Sequence, residues 1–375
     1  MKKIQMVDLQ SQYKKIKNRI DVAVQNVMDT AQFINGQDVK EFQKELAEYL
    51  EVKHVITCGN GTDALQIALM SLGLKPGDEV ITADFTFAAT VEVIGLLRLK
   101  PVLVDVYPDT FNIDIEQVKK AITPKTKAMI PVHLFGQAAN MEEILKIARE
   151  HNLFVVEDNA QSIGAEYTFK NDKKAKTGTM GTIGTTSFFP SKNLGCYGDG
   201  GAIFTNDDHL AHRLRGIVNH GMYKKYYHDE IGVNSRLDSI QAAVLRTKLP
   251  YLDKYNQARK EAANIYDELF KDCKNVEIPY RDKSSTHVFH QYTLKIKNGK
   301  RDDLAEFLKQ EQIPFGIYYP VPLHLQKAYI QPDFIDSDYP VTNQLVKEVI
   351  SLPMHTELDR EQQEYIVGKI IDFLK

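Results

Sequence analysis

The sequence predicts an α/β architecture: a mostly parallel sheet flanked by helices, followed by a smaller C-terminal α+β domain. Two observations carry this. From residue 54 to residue 218, short β-rich runs alternate with stretches of helical apolar spacing, and strands that alternate with helices pair in parallel because each crossover helix packs back on the sheet. Beyond residue 250 the texture changes to an amphipathic helix, an alternating strand and a proline-punctuated tail. A chain of 375 residues also exceeds what one small core serves. The expected division is 1–249 for a large domain and 250–375 for a small one.

Taken in order, residues 7–47 read as amphipathic helix with a polar face rich in Lys and Gln. Strands are expected at 54–58, 79–83, 101–106, 128–134, 153–157, 184–189 and 201–205. Helices are expected between them at 62–72, 88–99, 115–122 and 141–151, and after them at 207–218. A long helix over 235–249 is ended by Pro250, and a second covers 252–271. Then follow a strand at 288–296, a helix at 302–311 and a strand at 314–319. Pro320, Pro322, Pro332, Pro340 and Pro353 punctuate the remainder.

Composition narrows the function. The formal net charge of -3 supplies no basic field for nucleic acid and no polybasic membrane signal. No apolar run approaches membrane-spanning length. The first residues carry Lys2 and Lys3 without the apolar stretch or cleavage site of a signal peptide. Three scattered cysteines, Cys58, Cys196 and Cys273, fit a reducing cytoplasm and read as small buried hydrophobes. His220, His228, His287, His290 and His324 lack the spacing of a metal site, so no metal is expected.

In open α/β sheets ligands bind where the strands end, so the residues just after each strand matter most. Gly59-Asn60-Gly61-Thr62-Asp63-Ala64 is a glycine turn opening a helix. Its N–H groups and the Thr62 hydroxyl suit a phosphate, though an ordinary turn with a Thr cap has the same look. Asp84-Phe85-Thr86-Phe87 puts aromatics where they can stack on a planar ligand or fill the core. The strand at 153–157 runs into Glu157 and Asp158, and a buried carboxylate needs a partner. Asp158 could hold a metal, cap a helix or pair with a protonated ring nitrogen. Lys192 lies in Ser187-Phe188-Phe189-Pro190-Ser191-Lys192-Asn193-Leu194-Gly195, before Gly198-Asp199-Gly200-Gly201. Removal from water there would lower its pKa and yield the neutral amine that a Schiff base needs. Together, phosphate turn, aromatic, strand-end Asp, serine and secluded lysine match the needs of pyridoxal 5'-phosphate.

With those motifs in place, the chain resembles the sugar nucleotide aminotransferases of the DegT/DnrJ/EryC1/StrS family, fold type I pyridoxal-phosphate enzymes. The most specific segments are 59–64, 156–162, 187–201 and 233–243, and the likeness spans nearly the whole chain. The resemblance implies that Lys192 carries the cofactor and shuttles the proton of transamination, and that Asp158 pairs with the ring nitrogen. It places Gln161 near the ring hydroxyl, and Gly61, Thr62 and Ser187 on the phosphate. Phe87, with Phe85 as the fallback, stacks on the ring. It further implies a homodimer with shared sites, in which Asn234 reaches the partner's cofactor phosphate and Arg236 holds substrate. Without the resemblance, Asn234 reads as a helix N-cap and Arg236 as one half of a surface ion pair. Tyr318 and Tyr319 stand where relatives have His-Tyr, so Tyr318 departs from the pattern.

The reaction so implied moves an amino group from L-glutamate to a keto group of a nucleotide-linked sugar. The nearest likeness within the family is to enzymes aminating C3 of UDP-linked 3-keto-N-acetylhexuronic acids for surface polysaccharide such as lipopolysaccharide. Alternatives are a dTDP-linked 3-keto-6-deoxyhexose or a C4-keto sugar. A related dehydratase class replaces the lysine with histidine, and a non-catalytic regulator would not need Asp158, Gln161 and Lys192 together.

Overall fold

The computed structural model describes residues 3–375; Met1 and Lys2, part of the amino-terminal stretch considered above, lie outside it. Seven strands form the central sheet: β1 (His54–Cys58), β2 (Glu79–Ala83), β3 (Lys100–Val104), β4 (Thr126–Ile130), β5 (Phe154–Asp158), β8 (Ile183–Ser187) and β9 (Gly201–Thr205). A short hairpin, β6 (Glu166–Thr168) and β7 (Lys174–Lys176), interrupts that series, and a second, β10 (Met222–Lys224) and β11 (Tyr227–His228), follows it. The order across the sheet is β1-β9-β8-β5-β4-β2-β3. Every pair from β3 to β8 is parallel, whereas β9 runs antiparallel to both β8 and β1. The α/β architecture therefore stands, with one reversed strand that the alternation pattern does not reveal.

Two apolar layers cover the sheet. One gathers Ile81, Met129, Val155 and Ile144; the other gathers Ile56, Ile67, Ile203 and Leu214. Helices α3 (Gly61–Ser71), α4 (Ala89–Leu96), α5 (Ile115–Ala121) and α6 (Met141–His151) lie between the sheet strands, and α7 (Asp208–Ile217) follows the last of them, as expected. A separate core with Phe270, Leu294, Leu308, Ile350 and Ile366 serves the C-terminal part. It is built from α9 (Leu252–Phe270), α10 (Arg301–Gln310), α12 (Arg360–Leu374) and the antiparallel sheet of β12 (Val276–Glu277), β13 (Tyr292–Ile296) and β14 (Val349–Leu352).

Several expectations are corrected. Residues 7–47 are two helices, α1 (Leu9–Thr30) and α2 (Gln37–Leu50), not one. Between them Ser239 N donates to Phe33 O at 2.9 Å and Gly36 N to Ser239 Oγ at 3.2 Å. Contact with the start of α8 (Ser239–Lys248) thus breaks the helix. That helix begins four residues later than expected, its first cap being Asp238, so Asn234 is no N-cap. Residues 314–319 form no strand; Gly316 alone bridges Ser351, because Pro314 and Pro320 lack the N–H a ladder needs. The strand expected at 288–296 starts only at Tyr292, its first residues being drawn toward the sheet instead. β14, α12 and α11 (Pro340–Glu348) were not anticipated.

Two carboxylates fasten the C-terminal tail to the sheet. Asp84, directly after β2, accepts from His324 N at 2.8 Å and bonds His324 Nδ1 at 2.7 Å. Asp105, directly after β3, accepts from Val341 N at 2.8 Å and from Thr342 N and Oγ1 at 2.9 and 2.7 Å.

Candidate active site

The carboxyl ends of β1, β2, β5 and β8 open on one cavity of about 800 Å³. Its wall includes Gly61, Thr62, Phe87, Asp158, Gln161, Ser187, Lys192, Tyr318 and Tyr319, nine residues singled out from the sequence. Asn234 and Arg236 are not in that wall.

Helix α3 starts at Gly61 because Asn60, not Thr62, caps it: Asn60 Oδ1 accepts from Asp63 N at 2.8 Å. The N–H groups of Gly61 and Thr62 are left for whatever occupies the cavity. Gly61 lies so close to the end of β8 that a Cβ there would stand 2.7 Å from Ser187 Cβ. Glycine is needed at this point to bring the N–H groups and the Ser187 hydroxyl together. Free N–H groups at a helix start plus a hydroxyl make an anion cradle.

Asp158 ends β5 and is 6% exposed. Its oxygens accept from Thr90 Oγ1 at 3.0 Å and Ala160 N at 3.1 Å. Its neighbour Glu157 faces the other way. It bonds His133 Nε2 at 2.8 Å and accepts from Gly178 N at 2.9 Å and Met180 N at 2.6 Å. Two adjacent carboxylates thus divide: Glu157 is consumed by the fold, and Asp158 is presented to the cavity. Gln161 is fixed by Phe135 N, which donates to its Oε1 at 2.8 Å, and by Tyr319 Oη, which accepts from its Nε2 at 3.2 Å.

Phe85 and Phe87 both lie beyond the end of β2 and meet different surroundings. Phe85 is 1% exposed and packs on Phe111, Phe135 and Tyr319. Phe87 is 57% exposed, with its ring open to the cavity and tilted toward Tyr319 at 6.3 Å.

Lys192 follows a tight turn in which its N–H donates to Phe189 O at 2.8 Å. The loop is closed behind it by the buried Lys248, whose ammonium bonds Gly195 O. Burial lowers the Lys192 pKa and Asp158 opposes this in part, leaving it pushed down to about 8. At pH 7 about a tenth of it is then neutral, against about 0.03% at an unperturbed pKa. In the wall of the cavity the carboxylates Asp63, Asp158 and Asp199 face this single Lys.

Arg236 and Asn234 belong to a segment fastened beside the phosphate turn: Ser235 Oγ donates to Asp63 at 2.6 Å and accepts from Gly59 N at 2.8 Å. Asn234 is exposed and bridges Asn219, and Arg236 Nη1 donates to Asn219 Oδ1 at 3.2 Å. Arg236 is thus held by an amide rather than in an ion pair.

The sequence assigns no cofactor or substrate role to Thr86, Asp199, His290 and Gln291, all in the wall. Thr86 and Asp199 lie inside motifs already singled out. His290 and Gln291 arrive from beyond residue 250 and carry no local signal.

A profile of the DegT/DnrJ/EryC1/StrS aminotransferase family matches residues 14–371. The chain belongs to that family. Among DegT-family relatives, a pleiotropic regulatory protein of Geobacillus stearothermophilus is 48% identical over 374 residues, 99% of each chain. A UDP-2-acetamido-2-deoxy-3-oxo-D-glucuronate aminotransferase of Pseudomonas aeruginosa is 44% identical over 95% of this chain and 96% of the relative. A dTDP-3-amino-3,4,6-trideoxy-alpha-D-glucose transaminase of Streptomyces venezuelae is 36% identical over 98% and 95%. The crystal structure of a DegT-family aminotransferase from Brucella abortus superposes with TM-score 0.93 at 44% identity, covering 99% of both chains. NtdA from Bacillus subtilis, solved with its cofactor PMP bound, gives TM-score 0.87 at 29% identity over 98% of this chain and 83% of NtdA. Among the described residues no helix is long and apolar enough to cross a membrane.

Proposed function

We infer that this chain is a pyridoxal-phosphate aminotransferase that moves the amino group of L-glutamate to C3 of a UDP-linked 3-keto-N-acetylhexuronic acid. The observation that carries the cofactor reading is the single cavity uniting an anion cradle, a buried carboxylate, an exposed aromatic face and a lysine of depressed pKa. Family membership and the PMP-bound relative agree with it.

When bound, pyridoxal phosphate supplies an electron sink for the pair left behind as an amino acid loses its α-proton. The residues of the chain do the rest. Gly61 and Thr62 N–H groups with Ser187 Oγ would hold the phosphate, with Phe87 against the ring and Gln161 toward its hydroxyl. Asp158 would favour a proton on the ring nitrogen, the condition under which the ring accepts charge. Lys192 Nζ takes the α-proton and delivers it, a task suited to an amine that is partly neutral at working pH.

The substrates are anionic, yet the cavity wall offers three carboxylates against one lysine. Further cationic and polar groups must be brought to it, which supports a homodimer in which Asn234 of a second copy meets the phosphate. Arg236 presents a fork fit for a carboxylate or phosphate, and Tyr318 and Tyr319 line the sugar side. The UDP-uronate choice rests on the Pseudomonas relative, and the product would serve a surface polysaccharide such as lipopolysaccharide, with the protein in the cytoplasm. The Streptomyces relative favours a second reading, a dTDP-linked 3-keto sugar. The Geobacillus relative favours a third, regulation without turnover, for which so complete a proton-handling cavity has no use.

The test is a competition between UDP-linked 3-keto uronate and dTDP-linked 3-keto sugar with glutamate as donor. A higher kcat/KM for the dTDP sugar would reverse the substrate choice. Lys192→Ala protein is expected to show no turnover and no borohydride-fixed cofactor; full activity in that variant would end the aminotransferase reading.

A further inference from the structure

Residues 288–291 are drawn against the sheet from several sides. Val288 N donates to Gly136 O at 2.9 Å, and Asn193 Nδ2, next to Lys192, donates to Val288 O at 2.9 Å. From behind, the buried Arg259 donates to Phe289 O at 3.1 Å and His290 O at 3.4 Å. This brings His290, 7% exposed, into the wall of the cavity that holds Lys192. Its Nδ1 is buried with no hydrogen-bond partner, an arrangement a fold avoids unless a ligand or a moving group completes it.

The imidazole is neutral. Burial, then the charges of Lys192 and Arg259, push its pKa well below the ordinary value. A neutral imidazole keeps one nitrogen as an acceptor. Among the groups that line the wall with it, Lys192 is the cationic hydrogen-bond donor.

We propose that His290 is a positioning residue for Lys192, its free ring nitrogen accepting a hydrogen bond from Nζ while that amine carries the extra proton. This rests on the aminotransferase reading above. His290 gains no proton itself; it fixes the direction of the ammonium between taking the α-proton and passing it on. A side chain needed only to fill space would have no use for a polar edge at this position.

Two readouts test it with His290→Phe and His290→Gln. In cofactor-free protein, the rate at which cyanate carbamylates Lys192 is followed by peptide mass spectrometry at pH 7. Loss of the acceptor destabilises the ammonium, so His290→Phe is expected to be labelled about threefold faster, and His290→Gln, which keeps an acceptor, at the wild-type rate. In the holoenzyme, kcat of the glutamate half-reaction is expected to fall about tenfold in His290→Phe with KM unchanged, and to recover largely in His290→Gln. Labelling and kcat within twofold of wild type, or a loss confined to KM, would overturn the proposal. Should His290→Phe not fold, His290→Ala takes its place in both assays. If wild-type holoenzyme yields no borohydride-reduced Lys192 peptide, the aminotransferase reading fails, while the cyanate arm still decides the His290–Lys192 contact.

Discussion

Replacing Gly61 by Ala probes the proposed cofactor cradle with one carbon. That carbon would lie 2.7 Å from Ser187 Cβ, 3.2 Å from Ser187 Cα and 3.3 Å from Ser187 Oγ. The first two are root atoms that no rotamer change can move aside. Either α3 tilts or the end of β8 drops, and β8 is not free to drop. Ser187 pairs with Gly201 of β9, and Gly201 itself lies beneath Asn60, where a Cβ would meet Asn60 O at 2.3 Å. Ala favours a helix over Gly by about 1 kcal/mol, while overpacking costs about 1–3 kcal/mol. The expected net loss is up to about 2 kcal/mol, read as a lower urea midpoint at unchanged slope in cofactor-free protein. Because the displaced N–H groups are those facing the anion, affinity for pyridoxal phosphate should fall about tenfold, a change of about 1.4 kcal/mol, measured by fluorescence titration. Adding Ser187→Gly to Gly61→Ala removes the closest contact, leaving the Cα approach at 3.2 Å, and should restore about 1 kcal/mol of stability as a coupling term. A Gly61→Ala protein with wild-type midpoint and wild-type affinity would refute the close-approach account.

Two further perturbations follow from the framework around the site. Glu157→Ala leaves Gly178 N, Met180 N, Gly181 N and His133 without their buried acceptor, and about 3 kcal/mol of stability should be lost in urea unfolding; an unchanged midpoint would show that the donors find other partners. Burial lowers the His324 pKa, but hydrogen bonds to Asp84 and Asp336 outweigh it and hold it above the ordinary value. A raised folded-state pKa contributes stability that is complete below pH of about 6.5 and is lost as pH climbs through the folded value. The wild-type melting temperature, relative to His324→Gln, should therefore fall between pH 6 and pH 9; a constant difference would remove the charge from this contact.

What the sequence shows well is what repeats locally. Strand–helix alternation places the sheet, and strands point their terminal residues at a common edge, so the sequence itself gathers Asp158, Ser187 and Lys192. The reversal of β9 escaped because a buried strand reads the same in either direction. The turn at 31–36 escaped because its cause, Ser239, lies some 200 residues away in sequence. Glu157 and Asp158 look alike on the page, and only the approach of the 178–181 turn assigns one to structure. Asn60 was passed over as the cap in favour of Thr62, although both residue types cap helices well. His290 was weighed only as a metal ligand, since nothing near it in sequence hints that Arg259 and Asn193 carry its segment to the sheet.

The fastening of the tail by Asp84 and Asp105 has a consequence for how the protein is made. Both carboxylates stand one residue beyond a sheet strand, Asp84 after β2 and Asp105 after the edge strand β3, 0% and 3% exposed, and their partners lie at His324, Val341 and Thr342. A nascent chain released only as far as residue 249 would carry these charges in a half-built interior with nothing to receive them. The edge of the sheet beside Phe87 therefore closes only when residues 324–342 have left the ribosome. Truncation from the carboxyl end, even well short of the cavity, would unmake the cofactor site from its far side.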